Sequence, residues 1–159
     1  MANVSRGMED AIQIAIEAEK SAAEFYADAA AKAENVGRTL FIQLEAFEWH
    51  HFNQLTELQK SLAENGSFIK YDDTVPTIES GDKAKLSEEL KMSLMEIVAL
   101  ALENEAKAKV AYDDLANQTD DPAGKAMFQQ LADEEDHHHG ILKSAYWSLN
   151  QTGEWRWQD

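Results

Sequence analysis

Two glutamate–histidine pairs, each with a spacing of three residues, are the features of this sequence best suited to chemistry. Glu48 and His51 lie in "EAFEWHH", and Glu135 and His138 lie in "ADEEDHHHG". Residues three apart project from one face of a helix, so a carboxylate oxygen and an imidazole nitrogen can converge on one metal ion. A single pair is weak evidence for a metal site, because the same spacing is common on solvated helix faces.

An internal repeat distinguishes these pairs from their neighbours. Residues 37–55, "GRTLFIQLEAFEWHHFNQL", align without gaps to residues 124–142, "GKAMFQQLADEEDHHHGIL", and eight of nineteen positions are identical. The alignment carries Glu48 and His51 onto Glu135 and His138. Self-similarity of this kind predicts a pseudo-two-fold structure in which each half presents equivalent side chains to the centre.

The other histidines do not take part in a duplicated pair. Glu134–His137 and Asp136–His139 have the same spacing, but their counterparts in the first repeat are Phe47–His50 and Trp49–Phe52. We therefore expect His50, His137 and His139 to be surface residues or neighbours of the site. The tryptophans at 49, 147, 155 and 157 are interpreted as packing or interface residues.

Two further acids complete the candidate set. Glu19 shares its helical face with Ala15, Ala22 and Tyr26, whereas Glu17 shares a polar face with Ser21 and Glu24. The same comparison selects Glu105, whose face carries Val98, Ala101, Ala108, Tyr112 and Leu115. A charge on a buried stripe is costly unless it is paired or ligated, so Glu19 and Glu105 are predicted to bind metal with the two pairs.

The elements that must position these residues are helices. Apolar residues recur at spacings of three and four, which predicts helices over about residues 4–35, 38–64, 87–118 and 124–149. Gly37 is expected near the end of the first helix or the start of the next turn, and Ser87 is expected to cap the third helix. Residues 67–83 lack helical periodicity and should cross the bundle. We predict an all-α four-helix bundle of two antiparallel hairpins, with one domain over residues 1–150 and a tail over residues 151–159.

Composition narrows the classes of function. The formal charge of −16 argues against a basic surface for nucleic acid or anionic membrane, and the absence of cysteine excludes disulfides and thiolate metal sites. No run of about 18 apolar residues is present, and the first residues lack the apolar core of a signal peptide. We expect a cytoplasmic protein that binds neither nucleic acid nor membrane.

The ligand set points to a dinuclear centre. One inward glutamate from each of two helices and one Glu-x-x-His pair from each of the other two is the arrangement of ferritin-like di-iron and di-manganese carboxylate proteins. Four carboxylates would neutralise two divalent ions, and oxygen and nitrogen donors suit iron or manganese. Glu48 and Glu135 are expected to bridge the ions, with Glu19 and Glu105 terminal. Tyr26 and Tyr112 are either core aromatics or hydrogen-bond donors to a ligand carboxylate.

The chain resembles the rubrerythrin family of ferritin-like proteins over roughly residues 8–147. The segments that carry the resemblance are "IEAEKSAAEFYADAA", "LFIQLEAFEWHHFNQL", "LENEAKAKVAYDDLA" and "MFQQLADEEDHHHGIL". The resemblance implies a ferritin-like fold and a centre of two iron ions, with manganese or a mixed centre as alternatives. By resemblance, the metal ligands are Glu19, Glu48, His51, Glu105, Glu135 and His138.

Two features depart from rubrerythrins. The cysteine-bearing rubredoxin part that serves as their electron relay has no counterpart in this sequence. The additional glutamate that rubrerythrins carry one turn after the ligand of the third helix is replaced by Ala108, and Ala22 occupies the equivalent position in the first helix. The resemblance thus implies the ferritin-like part of such a protein with a six-residue ligand set.

Three functions are compatible with such a centre. The first is a di-iron oxidoreductase for H2O2 or O2 that takes electrons from an external donor and takes part in oxidative-stress defence. The second is iron handling, in which Fe2+ is the substrate of a ferroxidase and the acidic surface attracts it. The third is a structural bundle that binds adventitious metal. We expect a homodimer or a higher homo-oligomer, since related proteins assemble in this way.

Overall fold

The computed structural model describes residues 2–69, 75–81 and 83–157. Its helices are α1 (Ala2–Lys32), α2 (Glu34–Asn65), α3 (Glu88–Gln118) and α4 (Pro122–Thr152), and its strands are β1 (Ala84–Lys85) and β2 (Glu154–Trp155). The predicted all-α four-helix bundle is confirmed. Among the described residues, no helix combines the length and apolarity needed to cross a membrane.

The helix ends follow from local chemistry. The Ser87 hydroxyl accepts a hydrogen bond from the Leu90 backbone N–H at the start of α3, as predicted. Asp121 caps α4 through the N–H groups of Ala123 and Gly124, so this helix begins two residues before the predicted start. Gly66 adopts φ +69° after α2, which is the left-handed conformation that glycine takes without steric cost.

The turn between α1 and α2 differs from the prediction. Gly37 does not end a helix, because α2 already begins at Glu34, and the reversal occurs at Glu34 with φ +54°. Gly37 has another role. A Cβ atom there would lie 2.9 Å from the Cβ of Ala33 and 3.1 Å from Leu94, so glycine permits close approach at the end of the hairpin.

The bundle consists of two hairpins. α1 packs along α2 and α3 packs along α4, and the two hairpins meet through the buried side chains of a common core. The described part of the crossover is attached to α2 through Gln43, which donates to the Glu79 carbonyl and accepts from the Glu79 N–H. Phe68 covers the start of α4, where a Cβ atom on Gly124 would clash with its ring. These contacts fix the crossover on both hairpins.

The C-terminal segment closes one end of the core, a feature that helical periodicity could not reveal. β2 pairs antiparallel with β1, with Ala84 opposite Trp155 and Lys85 opposite Glu154. Trp155 and Trp157 are buried, in agreement with the packing role predicted for them, whereas Trp147 is 64% exposed. The strand pair thus joins the end of the crossover to the end of α4.

The apolar core is divided into two clusters, and the candidate ligands lie between them. One cluster contains Phe41, Val98 and Trp155, and the other contains Leu58 and Phe128. Along each helix, the buried acids and histidines fall between the residues of one cluster and those of the other. The middle of the bundle is therefore polar and is enclosed above and below by packed hydrocarbon.

Candidate metal centre

All six predicted ligands meet in the middle of the bundle. Each is 3% exposed or less: Glu19, Glu48, His51, Glu105, Glu135 and His138. The residues form two groups in which the ligand atoms lie within 4.8 Å of one another. The first group is Glu19, Glu48, His51 and Glu135, and the second is Glu48, Glu105, Glu135 and His138. Their service as metal ligands stays a prediction, but the structure brings every one of them together.

The two groups share Glu48 and Glu135. These carboxylates come from α2 and α4, the helices that also supply His51 and His138. Glu19 from α1 reaches only the first group, and Glu105 from α3 reaches only the second. The geometry suits the prediction that the shared carboxylates bridge two ions while the others are terminal.

Several buried oxygen and nitrogen atoms of the candidate ligands have no hydrogen-bond partner in the described part of the chain. Glu105 Oε2, Glu135 Oε2 and His138 Nδ1 have no hydrogen-bond partner among the described residues. His138 Nδ1 lies 3.8 Å from each of the two carboxylate oxygens, which is too far for a hydrogen bond. Buried polar atoms are costly without a partner, and three atoms at this separation can instead surround one cation. The donor set therefore fits a metal ion.

Two tyrosines connect the hairpins at the site. Tyr26 of α1 donates to Glu105 Oε1 of α3 at 2.5 Å, and Tyr112 of α3 donates to Glu19 Oε1 of α1. Both rings are buried. Of the two interpretations of these tyrosines, the structure favours the hydrogen-bonding one, and each tyrosine serves the glutamate of the opposite hairpin. The terminal carboxylates are thereby oriented before any ion binds.

Glu134 is a residue of the site that the repeat did not reveal. Its Oε2 lies 2.7 Å from His51 Nε2, while His51 Nδ1 faces Glu135 Oε1 at 3.0 Å. The equivalent position in the first repeat is Phe47. The centroid of its ring lies 4.5 Å from that of the His138 ring, in an edge-to-face arrangement. The repeat argued against Glu134 because its counterpart is apolar, and only the approach of α4 to α2 shows its role.

The remaining histidines differ in exposure. His137 is exposed and His139 is partly buried, so both lie toward the surface. His50 is 5% exposed and is a buried residue beside the site, not a surface residue. Glu17 is exposed, as its polar face predicted.

The four buried carboxylates lie close together, and their pKa values are shifted in opposite directions. Burial raises the pKa of Glu48 well above its usual range, and the charges of Glu135 and Glu19 raise it further. Burial and the neighbouring Glu105 raise the pKa of Glu135 to about 8. Burial opposes ionisation of Glu105 as well, but its contacts with Glu135 and His138 and the hydrogen bond from Tyr26 lower its pKa to about 2. The shared carboxylates thus hold protons while the terminal ones are ionised.

The histidines carry the balancing charge. Burial disfavours the imidazolium of His138, yet its contacts with Glu105 and Glu135 raise its pKa to about 9. Burial likewise opposes protonation of His51, but the charge of Glu19 and its bonds to Glu134 and Glu135 raise the pKa well above the usual value. Without metal, protons therefore provide the positive charge that the carboxylates require.

The comparisons with known proteins agree with this centre. The Rubrerythrin family model matches residues 96–157, which cover most of α3, all of α4 and the strand β2. The comparisons with curated proteins and with solved structures found no match. The match confirms the predicted family resemblance over the second hairpin, and the buried Glu/His cluster fits a site for two metal ions.

Proposed function

We propose that this protein, whose second hairpin matches the Rubrerythrin family, is a non-haem di-iron oxidoreductase that reduces H2O2 or O2. The observation that carries the proposal is the pair of overlapping ligand groups, which share Glu48 and Glu135. When bound, two ferrous ions would supply the two electrons that, with two protons, convert one H2O2 into two water molecules. An external donor would return the electrons.

The side chains of the chain prepare the site for this reaction. Tyr26 and Tyr112 hold Glu105 and Glu19 in fixed orientations through their hydroxyl protons. Glu134 accepts a hydrogen bond from His51 Nε2, so that once a metal ion displaces the Nδ1 proton, the Nδ1 lone pair would face the cluster. The two apolar clusters exclude water from the centre along the bundle axis. The chain therefore supplies orientation, charge balance and an apolar boundary on these two sides.

A direct test uses the protein loaded anaerobically with Fe2+. Rapid mixing with H2O2 and, separately, with O2 should produce ferric absorption, with one equivalent of H2O2 oxidising two iron ions. Zinc-loaded protein is the control, because Zn2+ has no redox chemistry. Failure of the ferrous protein to react with either oxidant would contradict the proposal.

Iron handling is the second candidate, and the acidic character of the chain favours it. A formal charge of −16 raises the local concentration of cations at the surface, including Fe2+. A ferroxidase would continue to consume Fe2+ and O2 after the centre has turned over once, and it would accumulate ferric iron beyond two ions per chain. An oxidoreductase would stop at two oxidised ions until a reductant is added. Iron-to-protein ratios during repeated Fe2+ additions distinguish the two.

A further inference from the structure

A cleft of about 510 Å³ leads from the surface to the candidate metal centre. It lies between α1 and α3, and its inner end is formed by carboxylates of the site: Glu19, Glu48, Glu105 and Glu135. Its walls are largely methyl groups, from Ala15, Ala18, Ala22, Ala108 and Ala111. Because small side chains face each other across the two helices, the helices leave space between them.

The cleft is much larger than the oxidants need. H2O2 and O2 are close in size to a water molecule, which occupies roughly 30 Å³ in the liquid. A volume of about 510 Å³ lies within the range of sites for small organic molecules. The lining on α1 extends from Ala15 to Tyr26, which corresponds to about 16 Å along the helix axis. The cleft therefore has the size and the elongated form of a site for a chain-like molecule.

Ala22 and Ala108 explain part of this space. They occupy equivalent positions in the two repeats, one turn after Glu19 and Glu105, and both line the cleft. A longer side chain at either position would project into the volume beside the terminal carboxylates. Methyl groups at both positions leave an apolar opening next to the centre.

The polar groups of the cleft exclude most other ligand classes. The one cation among its lining residues is Lys107, whose side chain is 72% exposed and ion-paired with Glu103 at 3.2 Å. Tyr26 and Tyr112 already donate to carboxylates of the site. His51 and His138 do not line the cleft and already face carboxylates of the site, so an anion would lose its hydration without gaining a partner, and a sugar or nucleotide would find few donors.

We propose that this cleft binds an uncharged, chain-like apolar molecule whose inner end lies beside the candidate metal centre. Binding itself requires only the cleft, whereas a role of this molecule as substrate or inhibitor rests on the proposed oxidoreductase function. Apolar walls and a position beside the ligand carboxylates are the observations that select this class.

The first test compares two ligands of equal length on the chelated, metal-free protein, so that a carboxylate cannot bind a metal ion. Calorimetric titration with 1-octanol should show saturable binding of one molecule per chain, and octanoate should bind at least about tenfold more weakly because its charge would lose hydration against apolar walls without a cation to pair with. Absence of octanol binding would overturn the proposal. Equal or tighter binding of octanoate would overturn the assignment to an uncharged ligand.

Variants locate the binding site. Ala111→Phe places a ring at the exposed mouth of the cleft and should weaken octanol binding at least about tenfold, as should Ala108→Phe deeper inside. Ala106→Phe is the matched control, because Ala106 is exposed on the same helix and does not line the cleft. Since Ala111 is exposed, this variant tests the cleft even if Ala108→Phe does not fold. Unchanged binding in Ala111→Phe would place octanol elsewhere and refute the proposal.

The cleft could instead be covered by a second copy of the chain. Such a copy would appear as a dimer that Ala111→Phe dissociates, with no octanol binding to the wild type, and this result would refute a small-molecule site. A protein that reacts with oxidants but ignores octanol would contradict only the apolar ligand of the cleft. A protein that binds octanol but reacts with neither oxidant would contradict only the proposed function.

Discussion

Glu134 Oε2 lies 2.7 Å from His51 Nε2, whereas His138, the counterpart of His51 in the second repeat, faces the ring of Phe47. The two halves of the candidate centre are therefore different although the sequence repeats. A carboxylate behind an imidazole fixes its tautomer and raises its basicity as a metal ligand. An aromatic ring does neither, so the position served by His51 should bind metal more tightly than the one served by His138.

Removal of Glu134 should reduce this difference. Glu134→Ala is expected to weaken the tighter of the two metal-binding steps by about 10–100-fold, because His51 loses the group that orients it. Chelator competition with Co2+, followed by its visible absorption, measures both steps. Asp133→Ala is the control, since Asp133 is exposed on the same helix.

Phe47→Glu provides the reverse test. A carboxylate at position 47 would stand behind His138 as Glu134 stands behind His51, and it should tighten the weaker binding step. A wild type with two identical binding steps, together with an unaltered Glu134→Ala variant, would contradict the predicted inequality.

Metal binding should displace protons from the centre. Near pH 7, Glu135 with a pKa of about 8 and His138 with a pKa of about 9 are protonated, and the raised pKa values of Glu48 and His51 act in the same direction. Loading two divalent ions should therefore release about two protons per chain or more. An indicator dye in weakly buffered solution measures the release, and a value near zero would contradict the predicted ionisation. Metal affinity should accordingly rise steeply with pH.

Stability of the metal-free protein should fall as pH rises. The folded pKa of Glu135, about 8, lies above the usual 4.5, and that of His138, about 9, lies above the usual 6.5. The folded state therefore holds more protons than the unfolded state between these limits, and the free energy of unfolding decreases with pH. The loss should be largest between pH 6.5 and 9, on the order of a few kcal/mol.

Thermal unfolding of the chelated protein at several pH values tests this dependence. The zinc-loaded protein is the control and should lack the loss, because metal replaces the protons. The lowered pKa of Glu105, about 2, acts in the opposite sense and only below pH 4.5, where its stabilising effect is lost as the pH falls. A metal-free protein that becomes more stable from pH 6.5 to 9 would refute the predicted ionisation.

Glu135→Gln should leave one metal ion or none per chain, because Glu135 belongs to both ligand groups. The amide preserves the shape of the side chain but not the negative charge that a shared ligand provides. Elemental analysis of metal-loaded protein measures the stoichiometry. Glu17→Gln is the matched control, since Glu17 is an exposed acid on α1 and should leave two ions bound. Two ions in Glu135→Gln would show that the ligand assignment is wrong.

Trp155→Ala should lower the free energy of unfolding by about 3–5 kcal/mol, because the ring is 1% exposed and its removal leaves a cavity. Trp147→Ala is the control, since Trp147 is 64% exposed and its loss should cost less than about 0.5 kcal/mol. Urea unfolding measures both. Equal effects would contradict the packing of the C-terminal segment in the core.

The sequence revealed those parts of the structure that are periodic or duplicated. Spacings of three and four residues identified the helices, and the repeat together with burial periodicity selected all six residues that meet in the centre. The role of Glu134 was not predicted, because its counterpart in the first repeat is Phe47 and the duplication therefore argued against a functional acid at this position. The turn at Glu34 was not predicted, because glycine, not glutamate, is the usual residue at a positive φ.

Long-range pairing was also beyond sequence analysis. The strands β1 and β2 are two residues each and pair across the whole second hairpin, so neither shows alternation that could be recognised. The cross-hairpin bonds of the tyrosines depend on how the helices pack, and helical spacing alone left two interpretations of these residues open.

The position of the centre between the two hairpins has a second consequence. Each hairpin is well packed within itself, while the bonds from Tyr26 to Glu105 and from Tyr112 to Glu19 join one hairpin to the other. An ion bound by Glu19, Glu48, His51 and Glu135 would draw its ligands from both hairpins. Metal binding should therefore stabilise the association of the two hairpins, and removal of the metal should weaken it.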